Sequence, residues 1–193
     1  MEPIESLRWI GAAILAAVLI TGIFLISKEP LGKATSISAH IAAKRSSYIF
    51  MAILLTIGGA LFYAFIAFWL KPTYHLSSLT YVILAIGFIG QLVMSWIPDS
   101  TKKTPRGKLL HDLHFIGGAT VAIAMLLALL VLVANYGNYP TISGLLIVAA
   151  TFYSVACVVL YAFVKRTRQH FLIYEIFYIA LFALTMFALI FKV

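Results

Sequence analysis

Six apolar runs, each long enough to cross a bilayer, constrain this chain more than any other feature. A helix needs about 20 mostly apolar residues to span a hydrocarbon core of roughly 30 Å. The runs fall at Leu7–Ile26, Tyr48–Leu70, Leu79–Ile97, Leu113–Ala134, Ile142–Val164 and Phe171–Phe191. They are continuously apolar, whereas barrel strands alternate over about ten residues, so they predict helices. Pro30, Pro72, Pro98, Pro105 and Pro140 all fall between runs, where a residue without an N–H does least harm. Trp9, Trp69, Trp96, Tyr74, Tyr136 and Tyr139 sit at or near the ends of runs, as interfacial aromatics do. The expected fold is all-α: a polytopic membrane protein with six transmembrane helices in one bundle, a single domain over residues 1–193.

Composition excludes the alternatives. The 193 residues are 63% hydrophobic and 10% charged, where a soluble domain carries about 25% charged residues. A water-soluble globule, a disulfide scaffold (Cys157 is the sole cysteine) and an ordinary nucleic-acid-binding domain are therefore ruled out. The first run reads as a true helix and not as a cleaved signal, because Glu2 and Glu5 precede Arg8 where a basic segment would stand.

Orientation follows from the Lys and Arg residues. The first loop holds Lys28, Lys33, Lys44 and Arg45, the third Lys102, Lys103, Arg106 and Lys108, and the fifth Lys165, Arg166 and Arg168. Eleven of the fourteen basic residues thus lie on one side, against Arg8, Lys71 and Lys192 on the other. By the positive-inside rule this is a multi-pass protein of the cytoplasmic membrane with both termini extracytoplasmic. The formal net charge of +8 is mostly this topology signal, and anionic lipid headgroups are its natural partners. The long first loop is expected to contain helix within Ser36–Ser47. Gly58-Gly59, Gly87 with Gly90, Gly117-Gly118 and Ala13 with Ala17 allow close helix approach, within the bundle or between copies, which leaves homo-oligomerisation open.

The candidate chemistry is concentrated on the basic side. His111 and His114, three residues apart, share a helix face at the start of the fourth helix. Asp112 beside them suits the positive end of the helix dipole. Glu175 is the one charged residue well inside a run, and a carboxylate at that depth is by default a functional hypothesis. His170 opens the same helix. If the fourth and sixth helices were neighbours, His111, His114, His170 and Glu175 would converge, flanked by Tyr174 and Tyr178. Such a cluster suits a polar cavity for a lipid headgroup or small anion. His111, His114 and Glu175 could hold a zinc ion, although no specific metal motif is present, and paired histidines could hold haem. A metal- or haem-dependent membrane enzyme or electron carrier, and a small transporter with Glu175 as its proton-coupling group, are the alternative readings. Gln91 is expected to hydrogen-bond between helices, and Cys157 to be a small core residue. No nucleophile–base pair or phosphate loop is legible.

The segment from Gln91 to Ala119 ends one helix in Trp96-Ile97-Pro98-Asp99 and opens the next with His111 and His114. It resembles the FRAG/DRAM/SFK superfamily and its prokaryotic relatives of unknown function, six-helix membrane proteins with a Pro-Asp-type turn after the third helix and a histidine beginning the fourth. The resemblance points to Pro98, Asp99, His111 and His114, and adds Asp99 to the candidate ligand-binding residues. Eukaryotic members are tied to lipid-anchor remodelling, lipid distribution and stress responses, which implies a lipid-interacting or sensory role in a prokaryotic membrane. Relatives usually read with the N-terminus inside, and the basic loops here read the other way.

Overall fold

A computed structural model describes residues 2–27, 45–98, 104–164 and 171–193; the side chains at 21–22, 24–27, 45–47, 161–162, 171–173 and 175 lie outside that description. Among the described residues there are six long helices. Helix α1 is Glu5–Ser27. Helix α2 runs Arg45–Phe65, continues through a π-helical turn Ile66–Leu70 and ends in Lys71–Thr73. Helix α3 is Leu79–Trp96, α4 Pro105–Ala134, α5 Thr141–Phe163 and α6 Phe171–Phe191. Four of these pass a length-and-hydropathy test for crossing a membrane, over Tyr48–Thr73, Leu79–Trp96, Pro105–Ala134 and Thr141–Leu160; the apolar stretch Ile176–Phe191 is shorter.

Each helix packs against the next in sequence, and α1 packs against α6, which closes a ring. Both termini share one end with the α2–α3 and α4–α5 turns; Arg8 near the start reaches Ile190 near the finish. The core sits toward this terminal end. Phe65, Trp69, Leu70, Leu129, Ile147 and Leu189 are all fully buried there. Outward faces are apolar on every helix, for example at Ile20, Ile57, Ile89, Ile123, Phe152 and Phe177. A belt of that kind has no counterpart in a water-soluble monomer, and with the long apolar helices it describes a membrane-embedded protein.

Small residues set the tightest contacts. At Gly117 a Cβ would stand 2.8 Å from the backbone N of Met94 and 2.9 Å from the carbonyl O of Gly90, so α3 and α4 meet backbone to backbone. Gly59 leaves room for the Gln91 amide, which donates to Leu55 O at 2.5 Å, the expected interhelical bond. These glycines serve the bundle, while Ala13 and Ala17 face outward.

Pro72 explains the π-turn. In a regular helix its missing N–H would leave the Phe68 carbonyl without a donor, and its ring would press on that same carbonyl. The chain widens instead: Lys71 N–H bonds to Ile66 O, five residues back, and Phe68 O accepts from Ile4 N at 3.0 Å. The extra residue turns Trp69 into the core.

Two expectations are corrected. Helix α4 begins at Pro105 and not at Leu113, because Thr104 caps it, accepting from Gly107 N at 3.0 Å, and Pro105 needs no partner at the first position. Trp69 and Tyr74, read as interfacial aromatics, are 0% and 5% exposed and belong to the core. Trp9, Trp96 and Tyr136 are exposed as expected. The expected helix within Ser36–Ser47 lies outside the described residues apart from its last three, which open α2.

Candidate functional site

Of the five residues expected to bind a ligand, the structure places two. Asp99 and His170 lie outside the described residues; Glu175 is placed by its backbone in the second turn of α6. His114 is 8% exposed, and its Nδ1 lies 2.6 Å from Ile97 O. That carbonyl belongs to the residue just past the end of α3, and since a carbonyl only accepts, the imidazole is the donor. His114 therefore ties the start of α4 to the end of α3, with Nε2 as its remaining polar atom. His111, one turn earlier, is exposed, as is Asp112.

The ring order bears on the convergence of α4 and α6. Helix α5 stands between them, and they meet across the ring interior at the terminal end, where Leu132 and Met186 line one cavity. Tyr178 faces α5, its hydroxyl buried beside Ser154 and Cys157. Tyr153 OH reaches Tyr174 O at 3.2 Å on the same seam. Cys157 is half-buried and free. Among the described residues no three His, Cys, Asp or Glu side chains stand together as a metal-holding group.

The first turns of α4 form a second feature. Arg106, Lys108 and His111 are exposed there, next to exposed Leu109, Phe115 and Ile116. At 1.5 Å per residue the 30-residue helix is about 45 Å long, some 15 Å more than a hydrocarbon core. The exposed cations of α4, Arg106 and Lys108, both stand at its start.

The densest polar network is at the terminal end, built on the last turn of α6. A helix leaves its final carbonyls without donors, and here those of Ala188, Leu189 and Ile190 each have one from a different source. Val193 N bonds to Ala188 O at 3.1 Å, with Lys192 in the left-handed conformation (φ 57) that this closure requires. Tyr74 OH donates to Leu189 O at 2.6 Å, and Arg8 Nε to Ile190 O at 2.7 Å. Ser143 at the start of α5 donates both its backbone N–H and its hydroxyl to Val193 O. The Arg8 guanidinium also complements the negative end of the α6 dipole and lies 5.1 Å from the Trp9 ring and 5.7 Å from the Trp69 ring. Trp69 Nε1 donates to Glu5 at 3.3 Å. Burial raises the pKa of Tyr74, an effect partly offset by the charge of Arg8; Tyr139, its ring tilted against that of Tyr74 with centroids 5.0 Å apart, is raised by burial and by that neighbour.

From sequence, Trp9, Trp69, Tyr74 and Tyr139 read as interfacial aromatics, and Arg8 as one of the few basic residues on its side. The partner of Arg8 is 182 positions away, and no local pattern encodes it. Pro72, four residues after Phe68, was the one signal that a carbonyl there would need an outside donor. No family model, curated protein or solved structure matches the chain.

Proposed function

We propose that the chain is a six-span integral protein of a prokaryotic cytoplasmic membrane, with both termini outside, that engages anionic lipid headgroups at the cytoplasmic surface through the projecting start of α4. The observation that carries this reading is the surplus length of α4. It sets Arg106, Lys108 and His111 at headgroup depth while Leu109, Phe115 and Ile116 beside them meet acyl chains. Basic residues near an anionic surface contribute about 1 kcal/mol each, against which the single charge of Asp112 is a smaller opposing effect. A lipid-interacting or sensory role fits both this surface and the resemblance to the FRAG/DRAM/SFK superfamily.

The test is native mass spectrometry of the purified protein after exchange into phosphatidylglycerol or phosphatidylcholine. The double variant Arg106→Gln, Lys108→Gln is expected to lose about 2 kcal/mol of preference for the anionic lipid, roughly a thirtyfold fall. Equal retention of phosphatidylglycerol by variant and parent refutes the reading.

A second reading rests on His114. An imidazole whose Nδ1–H is held by a backbone carbonyl presents Nε2 in the way metal-ligating histidines do. With His111 and Glu175 it would make a metal- or haem-dependent enzyme or electron carrier, or, with Glu175 alone, a proton-coupled transporter. Metal analysis and an absorption spectrum of mildly purified protein test the cofactor form. Near-stoichiometric metal or a haem band that His114→Ala removes would favour it, and neither signal would refute it.

A further inference from the structure

At the terminal end one short segment bridges α2 and α6, beside the Tyr74–Leu189 hydrogen bond that ties the α2–α3 turn to α6. Residues 4–9 bond to two elements that are not otherwise consecutive in the ring. Ile4 N and the Glu5 carboxylate hold the π-turn of α2, through Phe68 O and Trp69 Nε1. Arg8 holds the last turn of α6 through Ile190 O, and Trp9 packs edge-on against Phe191 with ring centroids 6.1 Å apart. Inside the ring lies a cavity of about 30 Å³ lined by Leu70, Thr80, Leu84, Leu132, Phe182 and Met186, with no residue of the segment itself in its wall. Leu70 belongs to the π-turn and Met186 to α6, so the two elements the segment ties together are also two walls of the cavity.

The closed arrangement is locally irregular. A π-turn, a proline and a left-handed His75 (φ 52) follow one another within ten residues. Such departures from regular backbone collect where a fold has to rearrange. Three hydroxyls at this end, Thr73 Oγ1, Thr80 Oγ1 and Tyr139 OH, are buried with no partner, and Thr80 is a wall of the cavity.

We infer that residues 4–9 form a strap that latches this end of the helix ring, with Arg8 as the latch, and that its release parts α2 from α6 and opens the cavity to the face of the membrane bearing the termini. This goes beyond the lipid-binding surface, which lies at the opposite end of α4. Arg8 is suited to the task because its guanidinium is bonded to α6 and flanked by the rings of Trp9 and Trp69. One side chain thus couples α1, α2 and α6.

The test is thiol accessibility in the full chain, reconstituted in vesicles, with Cys157→Ser as background. Thr80→Cys places a thiol in the cavity wall without breaking a hydrogen bond. Ser95→Cys places a control thiol at a site equally buried, 4% exposed, at the other end of α3. A membrane-impermeant maleimide is expected to label Thr80→Cys slowly when Arg8 is present and at least tenfold faster with Arg8→Met, which keeps the apolar stem. Ser95→Cys should be unaffected. Equal rates at position 80, or a parallel rise at position 95, overturns the proposal, since the second outcome means the whole bundle has loosened. Should Arg8→Met fail to fold, hydrogen exchange on the unmutated chain decides. Amides of residues 4–9 and of Leu189–Val193 opening together support the strap; independent opening overturns it.

Discussion

Replacing Gly117 by alanine should separate α3 from α4, and replacing its neighbour Gly118 should not. The added Cβ at 117 meets the backbone N of Met94 at 2.8 Å, the carbonyl O of Gly90 at 2.9 Å and Val93 Cγ1 at 3.0 Å. Ordinary contacts lie at about 3.5–4.0 Å, so the helices must part by roughly 0.7 Å. Two of the three obstructing atoms are backbone and cannot rotate away. Overpacking of this kind costs about 1–3 kcal/mol, and the close approach it spoils is the means by which membrane helices gain van der Waals contact. The loss extends further, because the same seam carries His114 and Ile97. At 118 the nearest atom is Met94 Sδ at 3.6 Å, an ordinary contact with the far end of a flexible side chain. There the helix gains about 0.8–1 kcal/mol from losing a mid-helix glycine. The two variants differ by one methyl group at adjacent positions, so composition and hydropathy cannot separate them. Denaturation by a graded sodium dodecyl sulfate titration, followed by circular dichroism, should show a gap of about 2–4 kcal/mol between them. A Gly117→Ala protein as stable as the parent, or a Gly118→Ala protein that loses as much, would refute the backbone contact.

His114→Leu should cost about 1–3 kcal/mol in the same titration, because it strands the Ile97 carbonyl next to Pro98. Asp112→Asn, two residues earlier on the exposed face, should change stability by less than about 0.5 kcal/mol. High pH should weaken the terminal end. Tyr74 and Tyr139 have raised pKa values in the folded protein, so the fold keeps them neutral while the unfolded chain ionises near pH 10. Their contribution is whole below about pH 10 and is lost as pH rises above it. Thermal midpoints from pH 8 to 11.5 should fall more steeply in the parent than in Tyr74→Phe, Tyr139→Phe, and parallel slopes would count against burial of these phenols.

The six helices were legible because hydrocarbon leaves the backbone no choice. Twenty apolar residues without charge must satisfy their own N–H and C=O groups, and only a helix does so within one segment. The helix ends were less legible, since hydropathy marks where lipid begins and not where hydrogen bonding stops. The apolar run opens at Leu113, whereas the helix opens eight residues earlier, at Pro105. The Thr104-Pro105 pair is a recognisable helix start, but it stands in a polar stretch that hydropathy does not count. Gln91 was read correctly as an interhelical donor, because a lone amide in a span has few other uses. The proposed meeting of His111 and His114 with His170 and Glu175 depended on helix order, which no single run encodes. Packing in sequence order sets α5 between α4 and α6 over most of their length.

The two ends of the bundle treat the same physical problem in opposite ways, and this decides which of them sequence could reveal. Every helix terminus carries backbone groups without partners. At the opposite end from the termini, the first turn of α4 is mostly exposed, and on the proposed reading water and lipid headgroups satisfy its first N–H groups. The side chains there are accordingly charged, and charge is visible in sequence. At the terminal end, the last turn of α6 is packed against its neighbours. Its carbonyls are answered by an arginine from α1, a tyrosine from the α2–α3 turn, a serine from α5 and its own left-handed closure. Each donor is ordinary where it stands in the chain and acquires its role only through the ring. A site of that kind needs coordinates to be seen, and it is here that the strap either holds or releases the fold.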